Sequence, residues 1–166
     1  MTNPLQVYIQ RNSGSITGYS VNPQPTDPSF DTTATSWTDA TFQAWLTAQS
    51  TSQTLAQTYT QKIAAGIQVT STGTPGLNGT YGIAPSDVSN IQAVSIYIQV
   101  NGRFPAGQTA FPWKDQNGLI HSFATTASFM SFATVAADYV AALALTLHAY
   151  EAGGSPPWPS NSATIP

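Results

Sequence analysis

Two histidines and seven acidic residues carry nearly all the acid–base chemistry this sequence could perform. His121 lies on the second hairpin, past the Asp115-Gln116-Asn117-Gly118 turn and near Asp115 in sequence. A general base or a metal site would need further partners, and the other carboxylates are scattered. The expectation for His121 is therefore a strand histidine bonded to backbone. His148 and Glu151 have the i, i+3 spacing of a local helix pair rather than of a catalytic dyad. There is no Cys, which removes thiol nucleophiles, disulfides and zinc–thiolate sites. Gly14-Ser15-Ile16-Thr17-Gly18 is no nucleophile elbow, because its Ser is displaced and no strand–turn–helix follows. Asn78-Gly79-Thr80 matches a glycosylation sequon but falls in a tight β segment, where Asn-Gly serves as turn chemistry. No phosphate loop or dinucleotide fingerprint appears. The residues thus predict no catalytic site, no cofactor, no metal and no enzyme.

Four Trp and seven Tyr raise a glycan platform as an alternative. Trp45 on a helical stripe and Trp113 within a hairpin are instead placed as core residues would be. Trp158, among Pro156, Pro157 and Pro159, is the exception. An aromatic in an extended proline-rich segment anchors either on its own domain or in a partner's groove.

Only 7% of the chain is charged, against about 25% for an ordinary domain, while the hydrophobic fraction of 41% is normal. The surface must be built from Ser, Thr, Gln, Asn and Gly. Such a surface loses little hydration energy when another subunit covers it, so the composition suits a homo-oligomer or symmetric array. Arg11, Lys62, Arg103 and Lys114 stand singly, and the net charge is −3, which offers no face for nucleic acid. Met1-Thr2-Asn3-Pro4 lacks the basic and apolar regions of a signal peptide. The apolar run from Phe129 to Leu147 is interrupted by Ser131, Thr134, Asp138 and Thr146, and is expected not to span a membrane.

The elements that would position these groups follow from periodicity. Residues 5–22 alternate as a hairpin around Asn12-Ser13-Gly14-Ser15, and a proline-rich linker follows to residue 28. Ser36 is a candidate cap for a helix from Trp37 carrying Phe42, Trp45 and Leu46, with a break expected near residues 48–52. A second run carries Leu55, Tyr59 and Ile63 and stops at Gly66. Ile67, Val69 and Ser71 then alternate, and residues 77–83 return as a strand. A helix begins at Pro85, presents Val88, Ile91, Val94 and Ile98, and ends at Asn101-Gly102. Asn117-Gly118 turns a second hairpin. Thr125 caps the longest helix, whose seam is Phe129, Phe132, Ala136, Tyr139, Leu143, Leu147 and Tyr150.

The predicted fold class is α+β: a small domain of two β-hairpins packed with three to four helices, preceded by an N-terminal β-hairpin docking element. The expected divisions are 1–28 (hairpin and linker), 29–154 (α+β domain) and 155–166 (extended Pro/Ser-rich tail). A two-stranded hairpin is marginal alone. Apolar anchors at both ends, Val7, Tyr8, Ile9 and Tyr19, then Trp158 and Ile165, are thus candidate interface residues.

The segment from Ala64-Ala65-Gly66-Ile67-Gln68-Val69 through Gly76-Leu77-Asn78-Gly79-Thr80-Tyr81, with Phe111-Pro112-Trp113 and Asn117-Gly118, carries a resemblance. It is similar to an uncharacterised domain family of tailed-phage and prophage proteins, associated with tail and tail-fibre gene clusters. Tyr8-Ile9-Gln10-Arg11, Gly14 to Gly18 and Asn22-Pro23-Gln24-Pro25 resemble the opening hairpin often joined to such domains. The resemblance implies a fold and a virion context, with other virion proteins as partners. It transfers no catalytic residue. The function expected is a non-enzymatic structural part of the tail, tail fibre or baseplate; the alternatives are a fibre assembly chaperone and a receptor- or glycan-binding module.

Overall fold

The computed structural model describes residues 6–21, 35–36 and 39–166. The proline-rich linker and Trp37 lie outside them. The fold is α+β, with three helices and several small sheets. The chain divides into two compact units, Met1–Thr54 and Leu55–Pro166. The boundary falls inside a helix, α1 (Ala40–Ala65), and not at the expected 28/29.

In the first unit, β1 (Gln6–Asn12) and β2 (Ser15–Ser20) pair antiparallel with Ile9 opposite Tyr19. Ser13 and Gly14, both at positive φ, make the two-residue turn. The short β3 (Thr35–Ser36) adds to the other edge of β1. Val7, Ile9 and Phe42 form a small buried core, with Ile16, Trp45 and Leu46 packed around it. Phe42 is a residue of α1. The hairpin therefore finds its third layer within its own unit, which is why the first turns of α1 belong with it.

Asp39 caps α1: its Oδ1 accepts the Phe42 N–H at 2.9 Å, so the cap is Asp39 and not Ser36. The expected break near residues 48–52 is absent. Thr47, Thr51, Thr54 and Thr60 each donate their hydroxyl to the carbonyl four residues back, at 2.9 Å. These bonds satisfy the hydroxyls without leaving the helix, so the Ser/Thr-rich stretch does not end it.

The second unit opens with Gly66 at φ 69°, which reverses the chain into β4 (Ile67–Ser71). A Cβ at Gly66 would collide with the Tyr81 carbonyl as well as strain the backbone. A 3-10 turn (Pro75–Leu77) leads to β5 (Gly79–Tyr81), antiparallel to β4. α2 (Pro85–Asn101) starts with Asp87 accepting the Ala84 N–H at 3.2 Å and stops at left-handed Gly102. β6 (Phe111–Lys114) and β7 (Ile120–Phe123) form the second hairpin. Thr125 accepts the Ser128 N–H at 3.1 Å and begins α3 (Thr126–Glu151).

α3 supplies more of the core than any other element. Phe129, Phe132, Ala133, Ala136, Tyr139 and Leu143 are buried along it, and Phe129 and Phe132 meet Trp113 and Phe123 with ring centroids 5.2 to 6.2 Å apart. By length and mean hydropathy (1.6) α3 could cross a membrane, so the interrupting polar residues do not disqualify it as expected. One side of it packs inside this unit. Asp138 points to solvent from the other side.

The segment 155–166 is not a free tail. Its end forms β8 (Ser162–Ile165), which pairs in parallel with β4, from Gln68 opposite Ser162 to Ser71 opposite Ile165. Ile165 is buried in the core, and the Ser71 hydroxyl donates to the Pro166 carbonyl at 2.8 Å. Trp158 stacks on Tyr150 of α3 at 5.6 Å.

Leu143 is fully buried. Leu143→Ala is expected to cost about 2–5 kcal/mol in denaturant unfolding, and Leu143→Asp to unfold the second unit, because an unpaired charge would enter apolar packing. The Tyr139 hydroxyl is buried and makes no hydrogen bond to the described residues. Tyr139→Phe removes that uncompensated desolvation and is expected to leave the melting temperature unchanged or higher, by up to about 1–3 kcal/mol at the melting point. A drop in melting temperature would contradict it.

Candidate functional site

Three elements of the second unit meet at His121. Strand alternation on β7 turns His121 and Phe123 inward and leaves Ile120 and Ser122 outside. The ring is 4% exposed. Its Nδ1 lies 2.7 Å from the Gly76 carbonyl in the 3-10 turn, and its Nε2 lies 3.3 Å from Asp115 Oδ2. Tyr81 of β5 covers one side, ring centroids 5.2 Å apart. The sequence reading of a backbone-bonded strand histidine is thus half of the arrangement. Asp115 is the other half.

Asp115 is itself 7% exposed. The N–H of Leu119 donates to its Oδ1 at 2.8 Å, and its own N–H donates to the Leu119 carbonyl at 2.8 Å, closing the turn. Burial alone would raise its carboxyl. The bonds from the Leu119 N–H, the His121 ring and the Asn117 N–H outweigh burial and hold it below the ordinary carboxylate value. Burial, with the Asp115 charge added, pushes the Tyr81 phenol up, and Tyr81 donates its hydroxyl to the Leu77 carbonyl at 2.7 Å. β5 passes over the pair at Gly79, where a Cβ would lie 2.8 Å from Nε2 and 3.2 Å from Asp115 Oδ2. Only glycine fits there without moving the pair.

The cluster has every feature of a structural clasp. Both ring nitrogens face protein atoms, the Gly76 carbonyl and the Asp115 carboxylate, and the ring is buried. Among the described residues no three His or acidic side chains come together as a metal site would require. His148 and Glu151 pair at 3.1 Å on the exposed end of α3, as a local pair. Asn78 of the sequon is engaged in structure, with Oδ1 accepting the Ser71 N–H at 2.7 Å.

The candidate interface residues separate by their placement. Val7, Ile9 and Ile165 are buried inside their own units and are core, not docking anchors. Their burial corrects the reading of these three as candidate interface residues. Tyr8 is half-buried, and Tyr19 is partly exposed with its ring edge-on to Phe42 at 5.3 Å. Trp158 is half-buried against Tyr150, within its own unit.

A larger apolar feature lies elsewhere. A groove of about 470 Å³ runs between α2 and α3, lined by Val88, Ile91, Ile96, Met130, Ala133 and Ala137 among others, none of them charged. Ile96 is 60% exposed and Val100, one turn on, 77%. The sequence held a signal for this. Val94, Ile96, Ile98 and Val100 alternate within a helix, and one face cannot take all four.

The lowered carboxyl of Asp115 has a defined consequence in acid. Its folded value lies below the ordinary 3.8, so it contributes stability above that range, lost as pH falls through the folded value. Asp115→Asn is expected to flatten the acid limb: below pH 3.8 the wild-type melting temperature falls more steeply than the variant's. Parallel limbs would sink this assignment. No protein-family model, no curated protein and no solved structure matches this chain.

Proposed function

We propose that the chain is a non-enzymatic structural component of a tailed-bacteriophage virion, from the tail, tail-fibre or baseplate region. The observation that carries an assembly role is the uncharged face of α2 and α3, with its groove lined by apolar residues and by Gln92, Ser95, Gln99 and Thr134, and the exposed Ile96 and Val100. Large exposed apolar side chains beside a groove mark surfaces that another protein covers. Covering this one would strip water from no full charge among its lining residues, so association would incur little desolvation cost. The virion context rests on the resemblance of residues 64–81 and the Phe111-Pro112-Trp113 hairpin to phage tail-cluster domains. A glycan-binding module finds less support, because Trp45, Trp113 and Trp158 each have a ring engaged with another aromatic within their own unit.

Mass spectrometry of purified particles is expected to find the chain in fixed proportion to known tail proteins. Ile96→Asp with Val100→Asp should fold normally, since surface changes usually stay within about 0.5 kcal/mol, yet be lost from particles. A chain found with fibre protein in infected cells but absent from particles would instead make it an assembly chaperone. Normal incorporation of the double variant would remove the α2–α3 face from the account.

A further inference from the structure

His121 is placed between two acceptors. The Gly76 carbonyl at Nδ1 can only accept, and the ionised Asp115 carboxylate at Nε2 can only accept. A neutral imidazole has one N–H and one lone pair, so in either tautomer a lone pair would face an oxygen. With a proton on each nitrogen, both contacts become donated hydrogen bonds from a cationic ring, the one to Asp115 between opposite charges. We propose that His121 is held doubly protonated in the folded protein, and that this imidazolium is a pH-sensitive clasp fastening the 3-10 turn (Pro75–Leu77) to the β6–β7 hairpin.

The surroundings admit that reading. The titratable groups facing the ring are Asp115 from the hairpin turn and Tyr81 from β5, whose phenol stays neutral because its burial and the Asp115 charge disfavour its ionisation. Gly76 in the 3-10 turn, Gly79 in β5 and Trp113, the β6 partner of His121, bring no charge. α3 reaches this region through Phe132, which packs on Tyr81. Lys114 follows Trp113 in β6 and lies on the exposed face of the hairpin with Ile120. One anion therefore balances one cation in a buried setting. When one ring proton leaves, either the Gly76 or the Asp115 contact turns from attraction to repulsion, and the turn at residues 75–77 loosens first.

The geometry also singles out a variant that separates charge from shape. Asn at 115 can keep accepting the Leu119 N–H through Oδ1 while its amide donates to Nε2. A neutral ring then fits, with its Nδ1 proton on Gly76. The experiment is nitrogen-15 NMR of the imidazole rings in the whole chain, with exposed His148 as the internal reference. At a pH where His148 is neutral, His121 should still show two protonated nitrogens. Asp115→Asn should convert it to a single Nδ1–H tautomer. Amide protection at Leu77 and Asn78 should drop about tenfold in the wild type as the His121 signal changes, the scale of one lost charge-assisted bond, and stay level in Asp115→Asn. A neutral His121 wherever His148 is neutral overturns the clasp, and so does a protection profile that is the same in both proteins. If Asp115→Asn fails to fold, the wild-type ring signals and protection profile decide the matter alone.

Discussion

The second unit depends on one crowded face of α3. Phe129 and Phe132 stand three residues apart and are fully buried. Rings from β5, β6, β7 and the loop after α2 converge on them: Tyr81, Phe111, Trp113, Phe123 and Phe104. The pairs are mostly edge-on or tilted, the arrangements that bring a ring's positive edge to another's negative face. Farther along, Leu143 continues the buried seam, and Tyr150 receives Trp158. Two hairpins too small to be stable alone and a four-residue strand are thereby ordered against a single helix.

A chain with so few charges must satisfy its backbone and termini by other means, and it does so with hydroxyls and amides. Besides the four threonines of α1, Ser89, Ser95 and Thr134 return their hydroxyls to carbonyls four residues back. Asn101 does the same with its amide at the end of α2. Asn78 takes the place of a backbone acceptor for Ser71, and Gln116 donates its amide to Ala64 at 3.1 Å, tying the second hairpin to the end of α1. Such bonds are short-ranged and insensitive to salt, and they leave the outer surface nearly free of full charge. Such a surface surrenders little hydration wherever another protein covers it.

Most of the second unit could be read from the sequence, because its punctuation is strong. Pro85 with Asp87, Asn101-Gly102, Asn117-Gly118, Thr125 and Gly153 each mark a boundary by a local stereochemical requirement, and the helix and hairpin limits fall there. The continuity of α1 was not legible. Local propensity disfavours Ser and Thr in helices, whereas the structure lets each threonine bond its own helix. β8 was hidden for another reason. Ser-Ala-Thr-Ile has one large apolar residue, and a parallel partner 94 residues away leaves no trace in the adjacent sequence. The clasp fell between: Asp115 and His121 were visible as close in sequence on one hairpin, but their contact, and Gly76 and Gly79, which give the pair its second acceptor and its space, were not.

That pair also explains why a charge-poor chain keeps two ionisable groups inside. A buried ion pair is a weak source of net stability, since desolvation offsets much of its attraction. Apolar replacements would fill the same volume. They would also leave the Gly76 carbonyl and the Leu119 N–H without partners, and each orphaned buried group costs on the order of 1–3 kcal/mol. The pair answers both, because the carboxylate accepts from Leu119 while the ring reaches Gly76. Its contribution is therefore to register. It fixes which residue of the 3-10 turn lies against which residue of the hairpin, and so where β5 crosses, at the one position whose missing side chain leaves room.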